Sequence, residues 1–268
     1  MDQALLRRQK EVYCPLVEEF CRNAIQAREL QMGGLFLPTC MPGYLNAPVK
    51  VFYVGQDTLG WIPLQEMLTY FENNDIEGYI LENNAWFSPD SISKETKNNP
   101  GLFWTFVRRL HLRLKGEPSG VDINTLTERQ KALIKDWGWG NLNSIEKPTT
   151  LRNEGVWDKI DQAAYWKLKN ASRGLDAIKH TLDVFGPNLL FILNWDDAKE
   201  EDAFSGLKVE WQKDDYVEDL IATYSVEGYQ TKIIWTVHPG RLKWIGVAPD
   251  DLIEKLIKRV PAGFRYEF

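Results

Sequence analysis

Apolar residues recur at helical spacing from the start of the chain. Leu5, Val12, Leu16, Phe20 and Ala24 share one face, which predicts a single helix over residues 2–31. Met32, Gly33 and Gly34 end it, because glycine stops helices. The pattern then changes. Val49–Val54, Leu189–Leu193 and Lys232–Val237 are short, continuous apolar runs rich in β-branched and aromatic residues, as expected of strands buried on both faces. Lys208–Trp211 is a candidate short strand. Between these runs the period returns to that of helices, at Leu64–Asn73, Leu102–Lys115, Thr125–Asp136, Ile160–Asn170, Gly174–Phe185 and Pro249–Val260. Phe103, Phe106, Val107 and Leu110 form the apolar side of the second of these helices. The last carries Asp250 and Asp251 in its first turn and Lys255, Lys258 and Arg259 near its end, an order that suits the helix dipole.

Strands that alternate with helices and lie far apart in sequence require crossover connections. The expected fold is therefore α/β, a three-layer α/β/α arrangement around a short, mainly parallel sheet. Residues 1–268 are read as one domain, with an N-terminal helical extension over 1–48 and the α/β core over 49–268. In such sheets ligands bind beyond the carboxyl ends of the strands. Two short motifs lie there: Gly-Gln-Asp-Thr-Leu-Gly-Trp at 55–61 and His-Pro-Gly-Arg-Leu at 238–242.

Composition narrows the classes. The chain has 268 residues, 44% hydrophobic and 26% charged, an ordinary globular balance with no run of membrane-spanning length. The first residues lack the apolar core of a signal peptide. Cys14, Cys21 and Cys40 are too few and too irregularly spaced for a disulfide framework, a structural zinc site or a four-cysteine cluster, so a reducing, cytoplasmic setting is expected. A net charge of −6 has the wrong sign for a protein that coats nucleic acid, but it leaves room for a local basic cleft. The 11 tryptophans serve either as core or as platforms for flat rings.

Both motifs carry candidate chemistry. Gly55 lets the backbone turn tightly or approach a ligand. Asp57 can orient or deprotonate a water, or it can simply cap the next helix. His238 can donate a hydrogen bond to developing negative charge, or it can sit in a solvated turn. Gly240 allows a backbone N–H to approach a phosphate, and Arg241 can pair with one.

Taken together, these motifs resemble those of the uracil-DNA glycosylase superfamily. GQDTLGW looks like its Gly-Gln-Asp-Pro-Tyr-His motif, and HPGRL looks like its His-Pro-Ser-Pro-Leu motif. The apolar strand in GPNLLFILNWDDAK lies between them, in the family's order. VFYVGQDTLGW also looks like bacterial members that read Gly-Gln-Glu/Asp-Thr-x-Gly-Trp, so the chain resembles a divergent bacterial or phage-defence-type member. The resemblance covers about residues 49–260.

The resemblance implies metal-independent, cofactor-free cleavage of the N-glycosidic bond of a uracil or modified pyrimidine flipped out of single- or double-stranded DNA. Asp57 takes the place of the water-orienting carboxylate, and His238 that of the histidine that stabilises the departing base anion. Gln56 corresponds to a residue lining the base pocket. Leu242 aligns with the wedge that fills the hole left by the base, with Arg241 as its rival. Asn141, or failing it Asn143, matches the base-reading asparagine. Leu59 stands where the family has a tyrosine that excludes thymine, so a substituent at C5 would be tolerated. Trp61, Trp86 and Phe87 are candidates for the stacking aromatic. Gly240, Arg241, Leu242 and Lys243 would meet DNA, with Lys255, Lys258, Arg259 and Arg265 extending a basic rim. The expected protein is monomeric and not membrane-bound. The alternative is a non-catalytic member that binds DNA or a partner through the same cleft.

Overall fold

The computed structural model describes residues 2–27, 33–58, 61–88, 102–146, 162–194, 203–211 and 220–264. These build an α/β fold around one seven-stranded mixed sheet. The strands are β1 (Thr39–Cys40), β2 (Val51–Thr58), β3 (Trp137–Glu146), β4 (Leu189–Asn194), β5 (Val209–Trp211), β6 (Ile221–Val226) and β7 (Lys232–Val237). The helices are α1 (Gln3–Ala27), α2 (Leu64–Glu72), α3 (Ile76–Trp86), α4 (Leu102–Leu114), α5 (Glu128–Leu133), α6 (Gln162–Asp176), α7 (Ile178–Phe185), α8 (Leu242–Ile245) and α9 (Pro249–Arg259).

The strand order is β1-β3-β2-β4-β7-β6-β5. The three apolar runs read from the sequence are the adjacent parallel strands β2, β4 and β7. β3 joins them in parallel on the other side of β2. The flanks differ from a mainly parallel sheet: β1, β6 and β5 all pair antiparallel. β6 to β7 is a hairpin turning through Gly228 at φ 83°, so no crossover is needed there. From β2 the chain goes to β3 on one side and then to β4 on the other. The strand order thus reverses at β2, which places a crevice beyond its carboxyl end.

β3 lacks the apolar run of the other central strands: Trp137-Gly138-Trp139-Gly140-Asn141 alternates two glycines with large residues, and glycine is poor in strands. Packing explains the alternation. A Cβ on Gly138 would lie 2.1 Å from the Phe52 ring, and one on Gly140 3.3 Å from Pro38. The glycines make room on one face, while Trp137 and Trp139 project from the other.

Each face of the sheet carries its own apolar cluster. Phe52, Val54, Leu190, Ile192 and Ile233 belong to one, together with residues of α1, α2, α6 and α7. Val51, Tyr53, Leu189, Phe191, Leu193 and Ile234 belong to the other, with residues of α4 and α9. Helix α1 packs into the first cluster through Leu5, Leu6, Tyr13, Val17, Phe20 and Ala24, and β1 extends the sheet. α1 turns its face slightly from the expected one, leaving Val12 and Leu16 at the rim. Gly186 ends α7 in the left-handed conformation, φ 53°, and Thr127 with Gln130 forms a capping box on α5. Burial pushes the Cys21 and Cys40 thiols up to about 12, and all three cysteines are unpaired.

Candidate functional site

Register sets Asp57 and His238 beyond the same edge of the sheet. Val54 pairs with Ile192, and Ile192 pairs with Trp235, so these three residues form one rung across β2, β4 and β7. Asp57 and His238 each lie three residues beyond that rung on strands two apart. At that rung two strand spacings amount to roughly 10 Å. Side chains alternate along strands, so Gly55 and Asp57 share the face of Tyr53, and His238 that of Ile234. By the same alternation Asn141 and Asn143 share the face of Trp137 and Trp139. Gly55 and His238 both meet Phe103, on the side covered by α4.

On that side the polar groups are held in place. Asn143 Nδ2 donates to Asp57 Oδ1 at 2.6 Å and to the Gln56 carbonyl at 3.1 Å. Asn141, 7% exposed, donates through Nδ2 to Thr58 Oγ1 at 3.1 Å. Thr58 in turn donates to the Asn143 carbonyl at 3.1 Å. Asn141 therefore sits in a strand, fixed across the sheet rather than bonded to its own turn. A Cβ on Gly55 would lie 2.6 Å from Asn141 Oδ1 and 3.2 Å from the Phe103 ring, so only glycine fits here. Across the rim, burial together with the carboxylates of Asp57 and Asp176 pushes the Tyr165 hydroxyl up.

His238 ends β7 with its backbone N–H on the Asn194 carbonyl at 2.7 Å. Its Nδ1 accepts the Gly240 backbone N–H at 3.1 Å. In a neutral ring this bond puts the proton on Nε2. This corrects the phosphate-binding expectation for Gly240, whose N–H is spent on orienting the histidine. Phe103 stacks on His238, with centroids 5.6 Å apart and planes at 17°. Phe103 thus touches both motifs. From the sequence it reads only as the apolar face of a helix, and no local pattern marks it.

Behind Phe103 an aromatic wall continues through Trp104 (5.1 Å) and Trp139 (4.6 Å from Trp104) to Trp86 (5.8 Å from Trp139) and Trp61 (5.6 Å from Trp86). The three stacking candidates named from the sequence belong to this wall. Phe87 is fully buried against Trp137 and Trp139, and the Trp61 indole N–H is committed to Tyr79 Oη at 3.1 Å. Neither lies against His238.

After His238, Pro239–Arg241 form one 3-10 turn and α8 follows directly. Leu242 is 2% exposed and packed in the α4-side cluster. It cannot serve as a wedge, because reaching DNA would strip it from the core. Arg241 is half-buried and Lys243 exposed. On α9, Glu254 and Asp250 bind Arg113 (2.6 Å) and Arg109 (3.3 Å) of α4, so this flank is an interlocked ion-pair surface rather than a uniformly basic one. Leu59 and Arg265 lie outside the described residues.

No protein-family model matches the chain, and no curated protein matches it in sequence. Among the described residues, no group of three or more His, Cys, Asp or Glu is arranged to hold a metal ion, and no helix is long and apolar enough to cross a membrane.

Proposed function

We propose that this chain is a DNA glycosylase of the uracil-DNA glycosylase type, acting on a flipped-out uracil or modified pyrimidine and leaving an abasic site. The observation that supports this reading is that Phe103 meets both motifs, stacking on His238 and closing against Gly55, two residues before Asp57. On this reading the sheet is the middle of three layers, and the protein works as a cytoplasmic monomer on DNA without metal or cofactor.

The roles are those the resemblance implies. The flipped ring lies against Phe103, and Asn141 faces its edge. Asp57, held by Asn143, orients a water and takes its proton as the water oxygen bonds to C1′ of the sugar. The C1′–N1 bond breaks, and its electron pair leaves on the base, whose anion accepts a hydrogen bond from His238 Nε2–H. The Asp57 charge also favours the oxocarbenium-like sugar. The base anion then picks up a proton from solvent.

The direct test is incubation with oligonucleotides carrying uracil or C5-substituted pyrimidines, followed by alkali. Strand scission at the modified position, lost in Asp57→Asn, is expected. Intact strands with every pyrimidine offered, from folded protein, would overturn the reading.

A further inference from the structure

The burial of Leu242 removes the wedge that the motif alignment supplied, yet a flipped base leaves a gap that costs a few kcal/mol of stacking unless something fills it. The same turn offers a replacement. In α8, Leu242 and Ile245 are one helical step apart and both pack into the α4-side cluster. Lys243 and Trp244, between them, therefore face outward. Trp244 is 81% exposed, the most exposed of the large apolar side chains among the described residues.

This exposure is built in, not the looseness of a loop. Arg241 N–H donates to the His238 carbonyl at 2.8 Å, and Val247 N–H to the Leu242 carbonyl at 3.1 Å. Gly246 closes the helix in the left-handed conformation, φ 70°. The indole is thus held on a pinned turn that starts at His238, with a cationic lysine beside it. A flat, rigid ring next to a positive charge is complementary to a base step flanked by phosphates.

We propose that Trp244 is the group that enters the duplex where the base departs, with Lys243 on the adjoining phosphate. The inference rests on the glycosylase reading for its setting but makes a separable claim about duplex DNA. The experiment compares binding of wild type, Trp244→Ala, Trp244→Phe and Leu242→Ala to a duplex with a tetrahydrofuran abasic analogue and to the intact duplex, with 2-aminopurine beside the gap as reporter. Wild type is expected to prefer the gapped duplex and to change the 2-aminopurine signal. Trp244→Ala should lose about tenfold of that preference, as the loss of one aromatic–base stack predicts. Trp244→Phe should retain most of it. Leu242→Ala should lower the melting temperature but keep the preference. A Trp244→Ala protein within twofold of wild type, or a preference lost in Leu242→Ala that is still folded, overturns the inference while base release can stand. A Trp244-dependent preference without any base release would leave the inference standing and sink the glycosylase reading.

Discussion

Asn143 holds the Asp57 carboxylate by a 2.6 Å hydrogen bond from its side-chain amide, on the neighbouring strand and directly opposite in register. The acid is thereby aimed from a rigid sheet rather than from a loop, as positioning of an attacking water demands. Asp57→Asn and His238→Ala should each slow base release by about 10²–10³, since both act on charge that develops in the transition state. Asn143→Ala should cost about tenfold to a hundredfold, the worth of a hydrogen bond to a charged group. Single-turnover rates with saturating protein check this, and binding of the gapped duplex should change little in all three variants.

Phe103 stacks on His238 and closes against Gly55. Phe103→Ala should weaken binding of the flipped base by about tenfold, the scale of one lost stacking contact. Phe103→Tyr should preserve it. The split between KM and kcat distinguishes a platform from a structural residue, because the platform loss falls mainly on KM.

Gly55→Ala places a methyl 2.6 Å from Asn141 Oδ1 and 3.2 Å from Phe103. Asn141 and Phe103 must both move, at a cost of about 1–3 kcal/mol in stability. On the proposed function, activity should fall much further than the melting temperature, because both displaced groups would meet the base.

Far from the rim, α4 carries a largely buried network. Tyr53 O–H donates to His111 Nδ1 at 3.1 Å, His111 Nε2–H to Asp136 at 2.8 Å, and Lys115 Nζ to Asp136 at 2.7 Å. This pattern is satisfied by a neutral histidine and an ionised aspartate. Burial lowers the His111 value, and burial with Lys179 lowers that of His180, each from 6.5. The unfolded chain therefore binds more protons than the folded one just below pH 6.5, and stability is fully present above that pH. It should fall as pH drops through the window beneath it, by up to ~1.4 kcal/mol per pH unit for each group. Asp136 is disfavoured as an anion by burial, but the His111 and Lys115 bonds outweigh this and hold it below 3.8, so a further loss begins near that pH. Thermal melts from pH 8 to 5 should show the first decline, and His111→Gln should flatten it.

Leu242→Ala should destabilise the fold by about 2–5 kcal/mol, as expected of a leucine truncated in a packed core. Denaturant titration reads this directly, and it separates a core residue from one that meets DNA.

The local pattern of the chain determined what depends on near neighbours. The apolar runs of β2, β4 and β7 lose backbone to water unless paired, so their composition alone marks them as interior strands. The dipole-matched charges of α9 and the glycine stop of α7 are equally local. The placement of Gly55, Asp57 and His238 at strand ends is legible for the same reason. What depends on distant partners needed the tertiary structure. β3 hides behind two glycines whose purpose is the Phe52 ring and Pro38, on other segments. Leu242 and Trp244 are both apolar residues in one short turn, and only the packing of α8 on its cluster decides which is buried and which stands in solvent. Phe103 has the same helical spacing as its buried neighbours, and it meets His238 because α4 starts over that residue. That Asp57 and His238 each follow the Val54–Ile192–Trp235 rung by three residues is set by the register of β2, β4 and β7, since hydrogen-bond pairing between strands, not sequence spacing, fixes which residues align.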